Sequence, residues 1–166
     1  MSYPDPIYTG EDGEASATLR PAGHEPELVY ANGTRAHFLM TGDRSHGLFG
    51  LYRWEMSGAI GGPGPHFHRS LQESFYVLAG TIRIYDGRRW IDTVAGDFVH
   101  VPEGGIHGFR NESGAPAAML IHFAPGAPRE AYFEGTAAIS HGLKMTDEEA
   151  AAFYLRHDTF WVDEQR

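Results

Sequence analysis

The densest chemistry in this sequence lies in Gly61-Gly62-Pro63-Gly64-Pro65-His66-Phe67-His68-Arg69-Ser70-Leu71-Gln72-Glu73, where a His-x-His pair is followed after four residues by a carboxylate. On an extended chain residues i and i+2 share a face, so His66 and His68 point the same way. Residues 69–72 let the chain reverse. In the apolar run that follows, Glu73, Phe75 and Val77 fall on one face, which turns Glu73 inward. A carboxylate among apolar groups is costly unless something pairs with it, and a metal ion held by two imidazoles is such a partner. A second segment, from Gly96 to Asn111, places His107 at the start of a strand just after the turn Pro102-Glu103-Gly104.

The elements that must position these side chains are short. Runs at 28–31, 35–41, 47–56, 73–78, 81–86, 90–94, 98–101, 106–110 and 117–123 read as strands, punctuated by Asn32-Gly33, Ala79-Gly80, Asp86-Gly87 and Ala95-Gly96. Asn-Gly and Asp-Gly suit hairpin turns because both central residues take positive φ. Strands of this number and spacing predict a sandwich, jelly roll or small barrel. The tail differs. Thr146 and Glu149 form a capping box, Asp147 and Glu148 suit the positive end of a helix dipole, and Ala150, Phe153, Tyr154 and His157 give a stripe at helical spacing. One helix is expected over about 147–157, with a shorter helical turn near 129–135. Residues 1–26 are polar and rich in Pro and Gly, and read as an irregular arm.

Composition bounds the function. The chain has 166 residues, enough for one domain with a real core, and 21 glycines with 10 prolines favour tight turns over long helices. Its formal charge of −9, from 22 acidic against 13 basic residues, argues against nucleic acid and against an anionic membrane surface. With no cysteine, disulfides, thiolate metal sites and thiol nucleophiles are excluded. The N-terminal residues have neither the basic start nor the apolar run of a signal peptide, and no stretch is long enough to span a membrane, so a cytoplasmic location is expected.

The two segments resemble the paired signature motifs of the cupin superfamily. The first, Gly-x5-His-x-His-x3–4-Glu-x6-Gly, is matched by His66, His68, Glu73 and Gly80, with its leading glycine displaced by one so that Ile60 holds the place and Gly61 follows. The second, Gly-x5-Pro-x-Gly-x2-His-x3-Asn, is matched in full by Gly96, Pro102, Gly104, His107 and Asn111. The resemblance implies an all-β fold, a double-stranded β-helix or jelly-roll barrel over 27–125, with a C-terminal extension over 126–166. It implies His66, His68, Glu73 and His107 as ligands of one divalent metal, and three imidazoles with one carboxylate suit Mn, Fe, Co, Ni, Cu or Zn.

Within the superfamily, the segments 65–68, 73–80 and 102–111 are most similar to quercetin 2,3-dioxygenase-like cupins. That resemblance implies cleavage of a flavonol- or enol-type small molecule with O2, with Glu73 as ligand and proton acceptor. The alternatives are a metal-dependent isomerase, cyclase or decarboxylase acting on a sugar or polyketide, or a non-enzymatic small-ligand binder. The isomerase class predicts basic cavity residues, for which Arg53 and Arg83 are candidates if their faces point inward. Phe75 and Phe109 share faces with the ligands and are the expected pocket walls. His24, His37, His46, His141 and His157 are read as surface or capping residues, and His122 ends an apolar run. Cupins of this size are commonly homodimers, and the arm at 1–26 is the expected dimer element.

Overall fold

A computed structural model describes residues 2–164. The chain forms β1 (Leu28–Val29), β2 (Arg35–Met40), β3 (Gly50–Met56), β4 (His66–Phe67), β5 (Gln72–Ala79), β6 (Thr81–Tyr85), β7 (Trp90–Val94), β8 (Phe98–Val101), β9 (Gly108–Arg110) and β10 (Ala117–Ala124). Two helices follow, α1 (Glu130–Ser140) and α2 (Asp147–Arg156), and then β11 (Phe160–Trp161). The main sheet runs β1-β2-β3-β10-β5-β8, the second β7-β6-β9, and β11 pairs with β4, antiparallel throughout.

Strict alternation builds the core. Tyr52, Trp54 and Met56 of β3, Met119, Ile121 and Phe123 of β10, and Phe75 and Val77 of β5 all turn inward. The register stacks them in rows: Met119 lies between Trp54 and Val77, Ile121 between Tyr52 and Phe75, and Phe123 between Gly50 and Glu73. Glu73 therefore occupies the last position of an otherwise apolar inner face. The second sheet closes over this core with Ile82, Ile84 and Phe109, the last two opposite each other. Antiparallel sheets, inward alternation and two short helices make this the expected double-stranded β-helix.

Two tight approaches require glycine. Gly80 turns the β5–β6 connection at φ 71°, where a Cβ would lie 2.5 Å from the Pro116 carbonyl oxygen, and Gly62, at φ 135°, would place one 2.0 Å from that of Phe109. Either contact is well inside van der Waals range, and the positive φ disfavours any side chain.

The structure departs from expectation mainly after the barrel. The turn expected near 129–135 is a full helix of 11 residues, α1, because Tyr132, Phe133 and Ala137 are buried against the core. Its start carries no capping side chain, so local sequence under-reports it. The capping box at Thr146 is present, and α2 covers Asp147–Arg156. The strand read over 47–56 begins only at Gly50. Residues 2–26 form no regular element, but Arg20 ties them down through an ion pair with Glu27 at 2.6 Å and a bond to the Phe38 carbonyl at 3.2 Å. No helix is long and apolar enough to cross a membrane among the described residues.

Asn111 shows how the polar turns are held. It is fully buried; its amide nitrogen donates to the Ser57 carbonyl at 2.9 Å and the Ala115 carbonyl at 2.7 Å, and its amide oxygen accepts from the Ser113 backbone and hydroxyl. Asn111→Asp replaces two donors with an acceptor facing two carbonyl oxygens. It is expected to cost on the order of 3 kcal/mol, read as a lower urea midpoint at unchanged slope.

Candidate metal centre and cavity

The two histidine segments are joined by the backbone before any side chain is considered. The His66 amide donates to the His107 carbonyl and the His107 amide to the His66 carbonyl, both at 2.8 Å. Such a doubly bonded antiparallel pair holds both Cβ atoms on the same side of the ladder. His68 follows two residues after His66, its carbonyl accepting from the Gly104 amide at 2.7 Å. Glu73 arrives from β5. The three imidazoles and the carboxylate are all buried, at 4% exposure or less, and each offers a ligand atom within 4.8 Å of the others.

Each imidazole is oriented by its far nitrogen. Nδ1 of His66 contacts the Gly64 carbonyl at 2.9 Å, that of His107 the Gly105 carbonyl at 2.9 Å, and that of His68 the Asp158 carbonyl at 2.5 Å. Carbonyl oxygens only accept, so the three Nδ1 atoms carry the protons and the three Nε2 atoms turn lone pairs inward. Glu73 Oε2 lies 2.8 Å from Nε2 of His107 and 3.2 Å from that of His68. Lone pairs facing a carboxylate at these distances repel unless a cation lies among them. A proton on one ring satisfies the arrangement partly. A divalent ion with ligand distances of about 2.0–2.2 Å satisfies all four groups, so the donor set fits such an ion.

The electrostatics have the same asymmetry. Burial alone would raise the Glu73 carboxyl, but His107 and His68 outweigh it and hold the pKa well below the usual carboxylate range. Burial also works against charged His107, and the Glu73 carboxylate overcomes it and raises that pKa. His66, with no bond to Glu73, is lowered to about 3 by burial, with the neighbouring His107 charge adding to the effect.

Beside the cluster lies a cavity of about 410 Å3, walled largely by aromatic and aliphatic side chains including Trp54, Phe109, Phe123, Tyr132, Phe133 and Trp161. Glu73 also lines it, whereas the three histidines do not. Of the two expected pocket walls, Phe109 lines the cavity. Phe75 does not: it is fully buried, its ring 6.0 Å from His107 and 5.6 Å from Phe109, and backs both.

The candidate basic residues lie elsewhere. Arg83 pairs with Asp92 at 3.0 Å and Glu112 at 2.8 Å on the outer surface, and Arg53 pairs with Glu55 at 3.1 Å. Neither lines the cavity; Arg129 does. His122 stacks on Phe49 on the outward side of β10, and His100 is an exposed partner of Ser74. His37, expected at the surface or as a cap, is buried against Glu55, because the β2–β3 register places it beside Arg53.

Several site residues left little trace in the sequence. Trp161 pairs with His66 through β11, its ring 5.2 Å from that imidazole. Asp158, at φ 51°, accepts from the Arg69 and Ser70 amides and the Ser70 hydroxyl, which clamps the reversal between His68 and Glu73. An Asp at positive φ is tolerated in turns, but nothing local says which loop it will cap.

Residues 54–123 match the family model described as Cupin domain. The chain is similar in fold to a crystal structure described as a predicted oxalate decarboxylase from Thermotoga maritima, with 19% identity, a TM-score of 0.58, and coverage of 66% of this chain and 99% of that one. At that identity the likeness is one of fold. Also similar are the polyketide cyclase RemF from Streptomyces resistomycificus (27% identity, TM-score 0.49, covering 62% of this chain and 70% of that one) and a cupin-superfamily sugar phosphate isomerase from Silicibacter pomeroyi (27%, 0.48, 55% and 59%). No curated protein matches the sequence.

The depressed His66 pKa has a consequence for the metal-free protein. An unfolded histidine takes up its proton near pH 6.5, while folded His66 refuses it until about 3. Between those values the unfolded chain binds more protons, so stability falls as pH falls. From pH 7 to pH 5 this contributes a loss of about 2 kcal/mol. In parallel urea titrations His66→Gln is expected to lose correspondingly less over that interval than the parent.

Proposed function

We propose that this chain is a cupin that binds one divalent transition metal through His66, His68, Glu73 and His107, and uses it as a dioxygenase on a planar enol- or phenol-bearing organic substrate of the flavonol type. The observation that carries this reading is the buried donor cluster whose carboxylate, alone among the four, also faces an aromatic-walled cavity. When bound, the metal supplies Lewis acidity and, if redox-active, a position for dioxygen. The chain supplies the rest. Trp54, Phe109, Phe123 and Phe133 sandwich a flat ring system and exclude water, and Glu73 Oε1 or Oε2 accepts the proton of an acidic enol or phenol.

A second reading, a metal-dependent cyclase, decarboxylase or isomerase working without O2, is favoured by Arg129 in the cavity wall. Its sugar-phosphate version loses support because Arg53 and Arg83 face away from the cavity.

The division into an arm at 1–26, a barrel at 27–125 and an extension at 126–166 belongs to the same proposal, as does a homodimer with the arm against a second copy. Tyr3, Ile7 and Leu19 of the arm are 98%, 82% and 86% exposed in the single chain. Light scattering is expected to give twice the chain mass, and deletion of residues 2–19 the single mass.

Metal analysis of the purified protein is expected to give about one transition-metal ion per chain, falling to near zero in His66→Ala and His107→Ala. Metal content equal to the parent in both variants removes the site. In oxygen-electrode assays of protein reconstituted with Mn, Fe, Co, Ni or Cu, uptake is expected with flavonols or 1,3-diketones. No uptake with any of these metals rejects the dioxygenase reading and leaves the oxygen-independent one.

A further inference from the structure

Arg129 is the only lysine or arginine between Arg110 and Lys144, and it stands where the chain leaves the barrel and enters α1. It is 3% exposed and lines the cavity that Glu73 also faces. Its guanidinium has a fixed positive charge that no side-chain proton transfer relieves. Among the described residues no carboxylate lies within ion-pairing distance of it; the arginine ion pairs involve Arg20, Arg53, Arg83 and Arg110. Nη1 donates to the His157 carbonyl at 2.6 Å, while Nε is buried with no partner. Three aromatic rings crowd the charge, with Cζ 4.1 Å from the Tyr132 centroid, 5.1 Å from Phe123 and 5.7 Å from Phe133.

Ring faces offset part of the desolvation of a buried cation but leave its N–H donors unsatisfied. A buried, unpaired charge is among the costliest features a fold can retain. With Nη1 engaged, the side edge formed by Nε and Nη2 is the one left for an acceptor, and that edge matches a carboxylate with two parallel hydrogen bonds. The cavity walls around it suit a flat apolar body.

We propose that the ligand of this cavity is an aromatic or enolic carboxylate, held by its carboxylate on the Nε edge of Arg129. Its reacting hydroxyl then faces Glu73 across the cavity; that orientation rests on the function proposed above, whereas the requirement for an anion does not.

The test uses the full chain, as purified and again after chelation, with 2-naphthoate and its neutral isostere 2-naphthamide in calorimetric titrations. Naphthoate is expected to bind tighter by about tenfold or more in both preparations, the range expected for a charge-assisted pair. Arg129→Lys is expected to keep part of that preference and Arg129→Gln to bind both probes equally. Equal binding by the parent, no binding of either probe, or a preference that survives in Arg129→Gln overturns the proposal. A preference seen only before chelation also overturns it, because the anion is then recognised by the metal. If Arg129→Gln does not fold, the parent's ratio and the Arg129→Lys ratio decide. Loss of metal binding or oxygen uptake leaves these binding ratios unaffected, so the two proposals fail separately.

Discussion

Glu73 holds a carboxylate out of water at the end of an apolar row, 2.8 Å from His107 and 3.2 Å from His68, with the imidazole lone pairs turned toward it. A charge in that position is tolerable only with positive charge beside it. Much of the local structure serves this juxtaposition. The reciprocal backbone bonds of His66 and His107 join two segments distant in sequence into one ladder, and three main-chain carbonyls fix the ring orientations. The barrel presents the donors, and a divalent ion among them would make their convergence favourable. In the metal-free protein a proton on His107 takes part of that role, and burial denies one to His66.

The extension after the barrel completes the site from the other side. α1 lays Tyr132 and Phe133 over the open end of the core, where Phe133 meets Tyr52, Trp54 and Phe123 ring to ring. The chain then returns so that the Asp158 carbonyl reaches His68 and its carboxylate caps the loop leading to Glu73, while β11 sets Trp161 beside His66. One short stretch, residues 157–161, thus touches two of the histidines and, through the His157 carbonyl, Arg129. Packing in the extension and geometry at the cluster are mechanically the same problem, since a shift in one moves hydrogen-bond partners of the other.

The cavity that results has both charged and aromatic groups in its wall. Glu73 and Arg129 both line it, and Phe123, the cross-strand partner of Glu73, also lies under the Arg129 guanidinium. Glu73 already has His107 and His68 beside it, whereas Arg129 has no carboxylate partner among the described residues.

Sequence alone was sufficient for most of the barrel strands, the capping box at Thr146 and the four clustered residues, because each is encoded locally: period-two alternation, turn glycines, and fixed spacing within two short motifs; the two-residue strands β4 and β11 have no such local signal. Glu73 facing inward followed from its phase with Phe75 and Val77, and the register agrees. Tertiary structure alone decided what surrounds them. Phe75 and Phe109 have the same local signature, yet only Phe109 reaches the cavity, since which inward ring becomes wall and which becomes core depends on the facing sheet. The length of α1 came from aromatic burial against a distant face, with no cap to announce it. Arg129, Asp158 and Trp161 act through partners that are distant in sequence, apart from Arg129's contacts within its own helix. No local period records such pairings, because they exist only once the extension has folded back over the barrel mouth.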